Sequence, residues 1–411
     1  MFNFLKKISA DTHSMPIGVK LIVFTVFLRS FGWGFVDPFY SIFVNKFSGS
    51  YAGVGGLVSI LELTSVIAII PLMRLADKMK DTAIMRDGEV LYIFAVGFYM
   101  LASLSGQIGF LIVAFILNGV AYPLVIVGAE TYLRKYGSLG GETKTFSFYT
   151  AINYLGWILG MVIGAFTVQY YGFKWMFLFV LPGCIAGLLV LRHIHEDGLR
   201  SIIWGVRKYF HNGHDFTALF DDLKTLDKKA VFPLFLSFFD GIIVMFSYVF
   251  VPLLALSLNL SLGAISLLMA VMYFPFIFSF LFSELTDRLK RTHVIALGLC
   301  IGGFAFVLLS FIVGHVWVAL LVALESASLA IIRPAYNGIL TRLTPRRMMG
   351  EITGLNTMAM KIGYIVGPVL SGFIADEFSI QTAFFTIAIF AFILAAVTLS
   401  SKGYETLPTA L

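Results

Sequence analysis

Residues 74–81 read Arg-Leu-Ala-Asp-Lys-Met-Lys-Asp, and residues 284–291 repeat the pattern as Glu-Leu-Thr-Asp-Arg-Leu-Lys-Arg. Each copy follows an apolar run of about 20 residues and precedes another, which is the length of a helix that crosses a membrane. Both copies are therefore predicted to be tight polar hairpins between two membrane-spanning helices. Because the copies lie about half the chain apart, they also indicate an internal repeat.

The composition is typical of a chain that lies in lipid. Of its 411 residues, 59% are hydrophobic and 13% are charged, which is more apolar surface than a soluble fold of this length buries. Backbone polar groups in lipid need partners within their own segment, and the apolar runs are longer than the strands of a barrel. The sequence predicts an all-α membrane protein with twelve transmembrane helices, at about 18–44, 52–73, 90–106, 109–133, 145–170, 174–192, 231–257, 262–282, 293–314, 316–342, 351–376 and 380–400.

Lys and Arg are distributed unevenly between the predicted loops. Placing the N-terminus in the cytoplasm puts most of the 29 basic residues on the inner side and leaves Lys46 and Lys174 outside. Basic residues concentrate in the cytoplasmic loops of membrane proteins. We therefore expect a cell-membrane protein with both termini in the cytoplasm. The net charge of +6 then faces anionic lipid of the inner leaflet, and no nucleic-acid partner is expected.

A polar stretch divides the twelve predicted spans into six and six. It covers residues 194–229, and residues 199–210 within it place apolar and basic side chains at the spacing of an amphipathic helix on the inner leaflet. The expected domains are an N-terminal six-helix bundle (1–193), this cytoplasmic linker (194–229) and a C-terminal six-helix bundle (230–411).

Glycines also repeat between the two predicted halves. Gly156 and Gly160 recur at one common offset as Gly363 and Gly367. Small residues at this spacing permit close contact between helices in a membrane. Their repetition indicates the duplication of a six-helix unit, and transporters built from two such units bind substrate at mid-membrane between them.

The doubled hairpin resembles the signature of the major facilitator superfamily. That signature runs Gly-x-x-x-Asp-Arg-x-Gly-Arg between the second and third helices, and Asp77-Lys78 and Asp287-Arg288-x-Lys-Arg291 occupy its core. Residues 345–355 look like the family's loop before helix 11, and residues 29–38 look like its first helix. The resemblance covers essentially the whole chain and implies twelve helices in two pseudo-symmetric halves.

The chain also departs from the family's patterns. In helix 4, the family's drug exporters carry an Arg four residues before Gly119, where Phe115 stands here. In helix 5, its antiporters carry Gly-Pro, whereas Met161 follows Gly160 here. The motifs therefore do not assign the chain to the drug-export branch. Departures within the hairpin signature occur at Met73, Lys80, Asp81, Ser283 and Lys290.

Ionisable residues fall inside several predicted spans, where charge is costly and usually functional. They are Arg29, Asp37, Glu62, Asp240, Glu325, Arg333 and Lys361. In the family, helices 3, 6, 9 and 12 face lipid, and the sequence places no charge in the cores of these four spans. We expect the charged residues to bind substrate or couple protons, with Asn118, Asn153 and Asn356 as further polar groups of the cavity.

The resemblance brings the second and eleventh helices together. We therefore expect Glu62 and Lys361 to form a mid-membrane ion pair between the halves; the alternative is that each finds a partner within its own half. Arg29, Arg333 and Lys361 either bind an anionic substrate or neutralise the carboxylates.

Three carboxylates are candidates for proton carriers, because a buried carboxylate can titrate during a transport cycle. Asp240 and Glu325 are the first choices and Asp37 is the next. Pro38 is expected to weaken the first helix beside Asp37. The alternative for each carboxylate is a static salt bridge, for which Asp37 with Arg29 is the obvious case.

A gating role is expected for charges at the cytoplasmic ends of the helices. Asp77 is expected to cap the start of helix 11 and to stabilise the outward-open state. Glu130 and Arg134 lie where the family pairs a carboxylate with the hairpin, and Lys78 or Lys80 is the expected partner of that carboxylate. The full set of gating residues is Asp77, Lys78, Glu130, Arg134, Asp287, Arg288 and Arg291.

These observations predict a secondary active transporter that moves a small molecule by alternating access, coupled to protons, with export favoured. Uptake or facilitated diffusion of a small metabolite or anion is the alternative, followed by a non-transporting membrane sensor. The sequence contains no nucleotide-binding loop of the Gly-x-x-x-x-Gly-Lys-Ser/Thr type and no hydrolase motif, so we expect neither a primary pump nor an enzyme. We expect a monomer without a cofactor or metal.

Overall fold

The computed structural model describes residues 15–75, 79–136, 142–194, 228–278, 289–312, 314–315, 317–343 and 349–401. Short 3₁₀ segments occur at Asp37–Phe39, Phe173–Phe179 and Lys228–Ala230. The α-helices of the described residues are α1 (Ile17–Gly34), α2 (Tyr40–Ser48), α3 (Tyr51–Leu75), α4 (Asp81–Ser105), α5 (Ile108–Tyr136), α6 (Glu142–Tyr171), α7 (Val180–Leu191), α8 (Val231–Ser257), α9 (Leu262–Ile277), α10 (Arg291–Ser310), α11 (Val318–Leu343), α12 (Met349–Glu377) and α13 (Ile380–Ser400).

The prediction of an all-α membrane protein is confirmed. Within the described residues, 10 helical segments are long and apolar enough to cross a membrane. Two shorter apolar helices, Trp175–Leu191 and Leu262–Ile277, coincide with the sixth and eighth predicted spans. Residues 279–288, which include Asp287 and Arg288, lie outside the described residues. So do Asp77, Lys78, the side chain of Arg134 and the predicted linker helix at 199–210.

The first predicted span is interrupted rather than continuous. Helix α1 ends at Gly34, the 3₁₀ segment Asp37–Phe39 follows, and α2 resumes the path at Tyr40. Pro38 accounts for the break, because its ring removes a backbone donor and disfavours helical geometry at the residue before it. The expected weakening of the helix at Pro38 is confirmed.

The third span begins earlier than predicted. Helix α4 starts at Asp81, directly after the hairpin, and not near residue 90. An acidic residue in the first turn favours this start, because it interacts with the positive end of the helix dipole. The hairpin residue Met79 is 3% exposed and packs against Leu72, Ile84 and Leu124. The longer helix brings Glu89 inside the span, so the expectation that the third span carries no charge was wrong.

The chain forms two compact units. The first contains residues 1–37 and 63–214, and the second contains residues 38–62 and 215–411. Helix α3 contributes to both, since its first twelve residues belong to the second unit. In the first unit, α1 packs against α6 and α7, and α4 packs against α5. In the second, α8 packs against α11 and α12, and α10 packs against α11 and α13.

Glycines lie where helices cross most closely inside each unit. In the first unit, a Cβ on Gly34 would lie 2.9 Å from the Cα of Gly160. In the second, a Cβ on Gly363 would lie 3.0 Å from the Cα of Gly241. Gly156 and Gly367 face the backbones of α1 and α8 in the same way. Two backbones can approach to this distance only where a side chain is missing.

Candidate functional site

The three cations that the sequence places in the cores of the spans each face a carboxylate. Lys361 on α12 lies opposite Glu62 on α3, Arg333 on α11 lies opposite Asp240 on α8, and Arg29 on α1 lies opposite a residue that the sequence analysis missed. The separations are 2.6 Å from Lys361 Nζ to Glu62 Oε2, 2.8 Å from Arg333 Nε to Asp240 Oδ2, and 3.9 Å from Arg29 Nη1 to Glu89 Oε1.

Asp240 is the centre of a polar cluster in the second unit. Arg333 donates to Asp240 Oδ2 through Nε, and the hydroxyl of Tyr336 donates to the same oxygen at 3.0 Å. Arg333 and Tyr336 are three residues apart on α11 and so lie on one helical face. The guanidinium also stacks 4.9 Å from the ring centroid of Phe276 on α9. The carboxylate is buried, whereas the side chain of Arg333 is 23% exposed.

Glu325 has a different environment from Asp240. It lies on α11 and is 1% exposed. The hydroxyl of Ser247 on α8 contacts Glu325 Oε1 at 3.0 Å, and the neighbouring Ser326 contacts Oε2 at 3.2 Å. Across the described part of the chain, Glu325 makes no ion pair. Its partners are neutral hydroxyl groups.

The ion pair of Glu62 and Lys361 belongs to a longer contact between α3 and α12 within the second unit. Lys361 Nζ also lies 5.0 Å from the ring centroid of Tyr364. The hydroxyl of Ser59 donates to the carbonyl oxygen of Ile365 at 2.8 Å. At the far end, the two oxygens of Asp376 accept hydrogen bonds from the backbone N–H groups of residues 51 and 52, each at 2.8 Å. The first half of α3 is thus bonded to α12 along its length.

Arg29 does not have the partner that the sequence analysis named as obvious. Its ion pair is with Glu89 on α4, and both side chains are buried. Glu89 was missed because the third span was predicted to begin after it. Asp37, the expected partner, lies in the 3₁₀ segment that follows the end of α1, and it is 6% exposed.

The three asparagines differ in their surroundings. Asn118 is buried and donates to the hydroxyl of Tyr99 at 3.0 Å. Asn153 accepts a hydrogen bond of 2.5 Å from Ser30. Asn356 donates to the side chain of Asn337 at 3.1 Å, at an exposed position between α11 and α12.

The start of α4 is joined to α5 by an ion pair that the sequence did not predict. Lys135 donates to Asp81 Oδ1 at 3.0 Å, and the Asp81 side chain is fully buried. The family signature has Arg where Asp81 stands, and in this contact the positive charge comes from Lys135 on α5. In the second half, the Arg291 guanidinium packs against Gly338 on α11.

Comparison with known proteins agrees with this architecture. The sequence matches the family described as Major Facilitator Superfamily over residues 22–203 and 233–406. An uncharacterized MFS-type transporter of Methanocaldococcus jannaschii is 23% identical over 92% of this chain and 97% of its own length. The quinolone resistance protein NorA of Staphylococcus aureus is 24% identical over 87% and 90%. The crystal structure of a D-xylose-proton symporter superposes with a TM-score of 0.74 at 15% identity, covering 95% of this chain and 99% of that one.

Proposed function

Because the chain belongs to the major facilitator superfamily, we propose that it exports a small neutral or cationic molecule in exchange for protons, and that Glu325 carries the proton. The family and the relatives are transporters. With its long apolar helices, the chain is a multi-pass membrane protein whose partner is a small molecule.

The environment of Glu325 is the observation that carries the proposed coupling. A carboxylate buried among helices without a cation close by is costly while it is ionised. Glu325 contacts two hydroxyls, whereas Asp240 contacts a guanidinium. Protonation therefore removes the unfavourable buried charge at Glu325. At Asp240 the ion pair with Arg333 already stabilises the charge.

The hydrogen bonds of Ser326 support a neutral Glu325. The Ser326 hydroxyl lies 2.9 Å from the carbonyl oxygen of Val322 and 3.2 Å from Glu325 Oε2. A hydroxyl has one proton to donate and can also accept. If Ser326 donates to the carbonyl, the second contact is a hydrogen bond only when Glu325 is protonated and donates.

The Asp240 and Arg333 pair is the proposed link between the proton and the substrate. Glu325 interacts electrostatically with both members of the pair. Glu325 and Arg333 are eight residues apart on α11, or about 12 Å along the helix axis. We propose that a change of charge at Glu325 alters the strength of the ion pair between Asp240 and the partly exposed Arg333. Substrate bound at this pair would in turn alter the proton affinity of Glu325.

The pairing of the cations favours a neutral or cationic substrate. Anion transport needs a positive group that the substrate can engage. Arg29, Arg333 and Lys361 each face a carboxylate, so an anion would have to compete with that carboxylate. Export is supported by the quinolone resistance relative, which matches nearly the whole chain.

Everted membrane vesicles test this function directly. When the vesicle interior is made acid, vesicles that contain the wild-type protein are expected to accumulate a fluorescent quinolone or ethidium. They are expected to release the probe when the pH gradient is collapsed. Glu325→Gln is expected to lose this accumulation while still exchanging labelled for unlabelled probe, because exchange does not need net proton movement.

Glu377→Gln is the matched control, since Glu377 is an exposed residue at the end of α12. It is expected to behave like the wild type. Full gradient-driven accumulation by Glu325→Gln would exclude Glu325 as the proton carrier. Failure of the wild type to move either probe into the vesicles would exclude export of this class of molecule.

A further inference from the structure

The first unit contains a buried acid and base that do not hydrogen-bond to each other. Glu89 on α4 is 0% exposed and Arg29 on α1 is 3% exposed, and their closest nitrogen and oxygen atoms are 3.9 Å apart. By distance and angle, Arg29 Nη1 and both carboxylate oxygens of Glu89 lack a hydrogen-bond partner among the described residues, and the neighbouring Cys184 thiol is only a weak donor. A buried polar atom without a hydrogen bond is unfavourable unless something satisfies it. A small molecule that both donates and accepts hydrogen bonds, such as water, would satisfy all three atoms.

The surroundings favour a ligand the size of water. The indole Nε1 of Trp33 is also buried without a hydrogen-bond partner in the described structure, and its ring lies 5.4 Å from that of Tyr92 on α4. On α7, a Cβ added to Gly187 would lie 3.6 Å from Glu89 Cδ and Oε1. The same Cβ would lie 3.1 Å from Thr25 Cγ2 on α1, so α7 packs closely here and only a very small ligand fits beside the carboxylate. Buried water occupies small polar sites where two to four such groups converge.

Arg29 is the charged group that faces Glu89. The titratable side chains that interact with this pair come from each helix around it: Tyr92 of α4, Tyr122 of α5, Tyr149 of α6 and Cys184 of α7, whose thiol lies against the carboxylate. Tyrosine and cysteine are ordinarily neutral at physiological pH. The charge on Glu89 is therefore balanced by Arg29 alone among these neighbours.

We propose that Glu89 is a second proton-binding residue, which takes a proton from a hydronium ion in a water-filled space shared with Arg29. In this step the carboxylate oxygen forms the O–H bond and the hydronium ion is left as water. Glu89 lies eight residues into α4, about 12 Å from the hairpin end of the helix.

The role of Glu89 in a transport cycle rests on the proposed proton coupling, whereas proton binding at Glu89 does not. Infrared difference spectra of the full-length protein in lipid, between about pH 5 and about pH 9, measure the protonation of carboxyl groups directly. The wild type is expected to show a carboxylic acid C=O band that Glu89→Gln lacks. Glu89→Asp is expected to keep the band at a shifted frequency. This variant still assigns the band to residue 89 if Glu89→Gln does not fold.

Two controls separate this inference from the proposed function. Glu377→Gln, which changes an exposed residue, is expected to keep the Glu89 band, and so is Glu325→Gln. If Glu325→Gln retains gradient-driven transport while the Glu89 band is present, the proposed carrier is wrong and the second proton site stands. Spectra of Glu89→Gln and Glu89→Asp that match the wild type across this pH range would overturn the proposal, because Glu89 would then not change its protonation state.

Discussion

Lys361 Nζ lies 2.6 Å from Glu62 Oε2, and the two side chains are 7% and 8% exposed. Glu62 comes from the second predicted span and Lys361 from the eleventh, so the pair joins helices from the two sequence repeats within one compact unit. Loss of one partner leaves the other charge buried, which costs about 3–5 kcal/mol in comparable buried pairs.

We expect Glu62→Ala and Lys361→Ala each to lower the thermal stability of the purified protein strongly, and the double variant to lower it by less than the sum. The reason is that the double variant buries no unpaired charge. A thermodynamic cycle of the four proteins measures the coupling. Additive effects of the two substitutions would show that the pair contributes no coupling energy.

Asp376 is expected to stabilise the start of α3. Its carboxylate accepts hydrogen bonds from the backbone N–H groups of Tyr51 and Ala52, which have no partner within the helix. Asp376→Ala is expected to cost about 1 kcal/mol, as for other capping residues, and Asp376→Asn is expected to cost less. Thermal unfolding in detergent measures the difference. Glu377→Ala, at the adjacent exposed position, should leave stability unchanged, and an equal loss in both variants would contradict the capping role.

The glycine crossings predict a strong effect of a single methyl group. A Cβ on Gly363 would clash with the backbone carbonyl oxygen of Phe238, and a Cβ on Gly160 would clash with that of Phe31. Backbone atoms cannot move aside as a flexible side chain can, so Gly363→Ala and Gly160→Ala are expected to lower both thermal stability and transport.

The control for the glycine variants is Gly97→Ala in α4. A Cβ on Gly97 meets nothing within 4 Å, and alanine is the better helix former, so this variant should be as stable as the wild type or slightly more so. Wild-type stability in Gly363→Ala would mean that α8 and α12 are not packed as closely as described.

Tyr336 is expected to support the Asp240 and Arg333 pair in transport. Tyr336→Phe removes one donor to Asp240 Oδ2 and leaves the Arg333 bond in place. A lost hydrogen bond to a charged group is worth about 1.5–3 kcal/mol, which corresponds to a transport rate lowered about 10-fold or more. Initial rates of probe uptake into everted vesicles measure it, with the 85% exposed Tyr170→Phe as control. Equal transport rates in both variants would show that the hydroxyl of Tyr336 has no role in transport.

Much of this architecture could be predicted from the sequence, because lipid imposes strong constraints on composition and length. Apolar runs identified the spans, and Pro38 correctly marked a weak point in the first of them. The pairing of Glu62 with Lys361 was expected from family resemblance, because the resemblance specified which helices adjoin.

The remaining features depend on details that hydropathy does not contain. Glu89 was missed because a charged residue near the start of a span looks like part of the loop, although α4 already begins at Asp81. For the same reason, Asp37 and not Glu89 was expected to be the partner of Arg29. The bonds from Tyr336 and Arg333 to Asp240 depend on how α8 and α11 are rotated about their axes, and local sequence does not determine that rotation.

The central claim is that movement of a small molecule through this protein is exchanged for protons at Glu325. Proteoliposomes with a pH-sensitive dye inside and no initial pH gradient test it most directly, when a gradient of the quinolone or ethidium is imposed. We predict that the wild type moves protons against the flow of the probe, and that Glu325→Gln moves the probe without any change in internal pH. Proton movement of equal size in the two proteins would contradict the account.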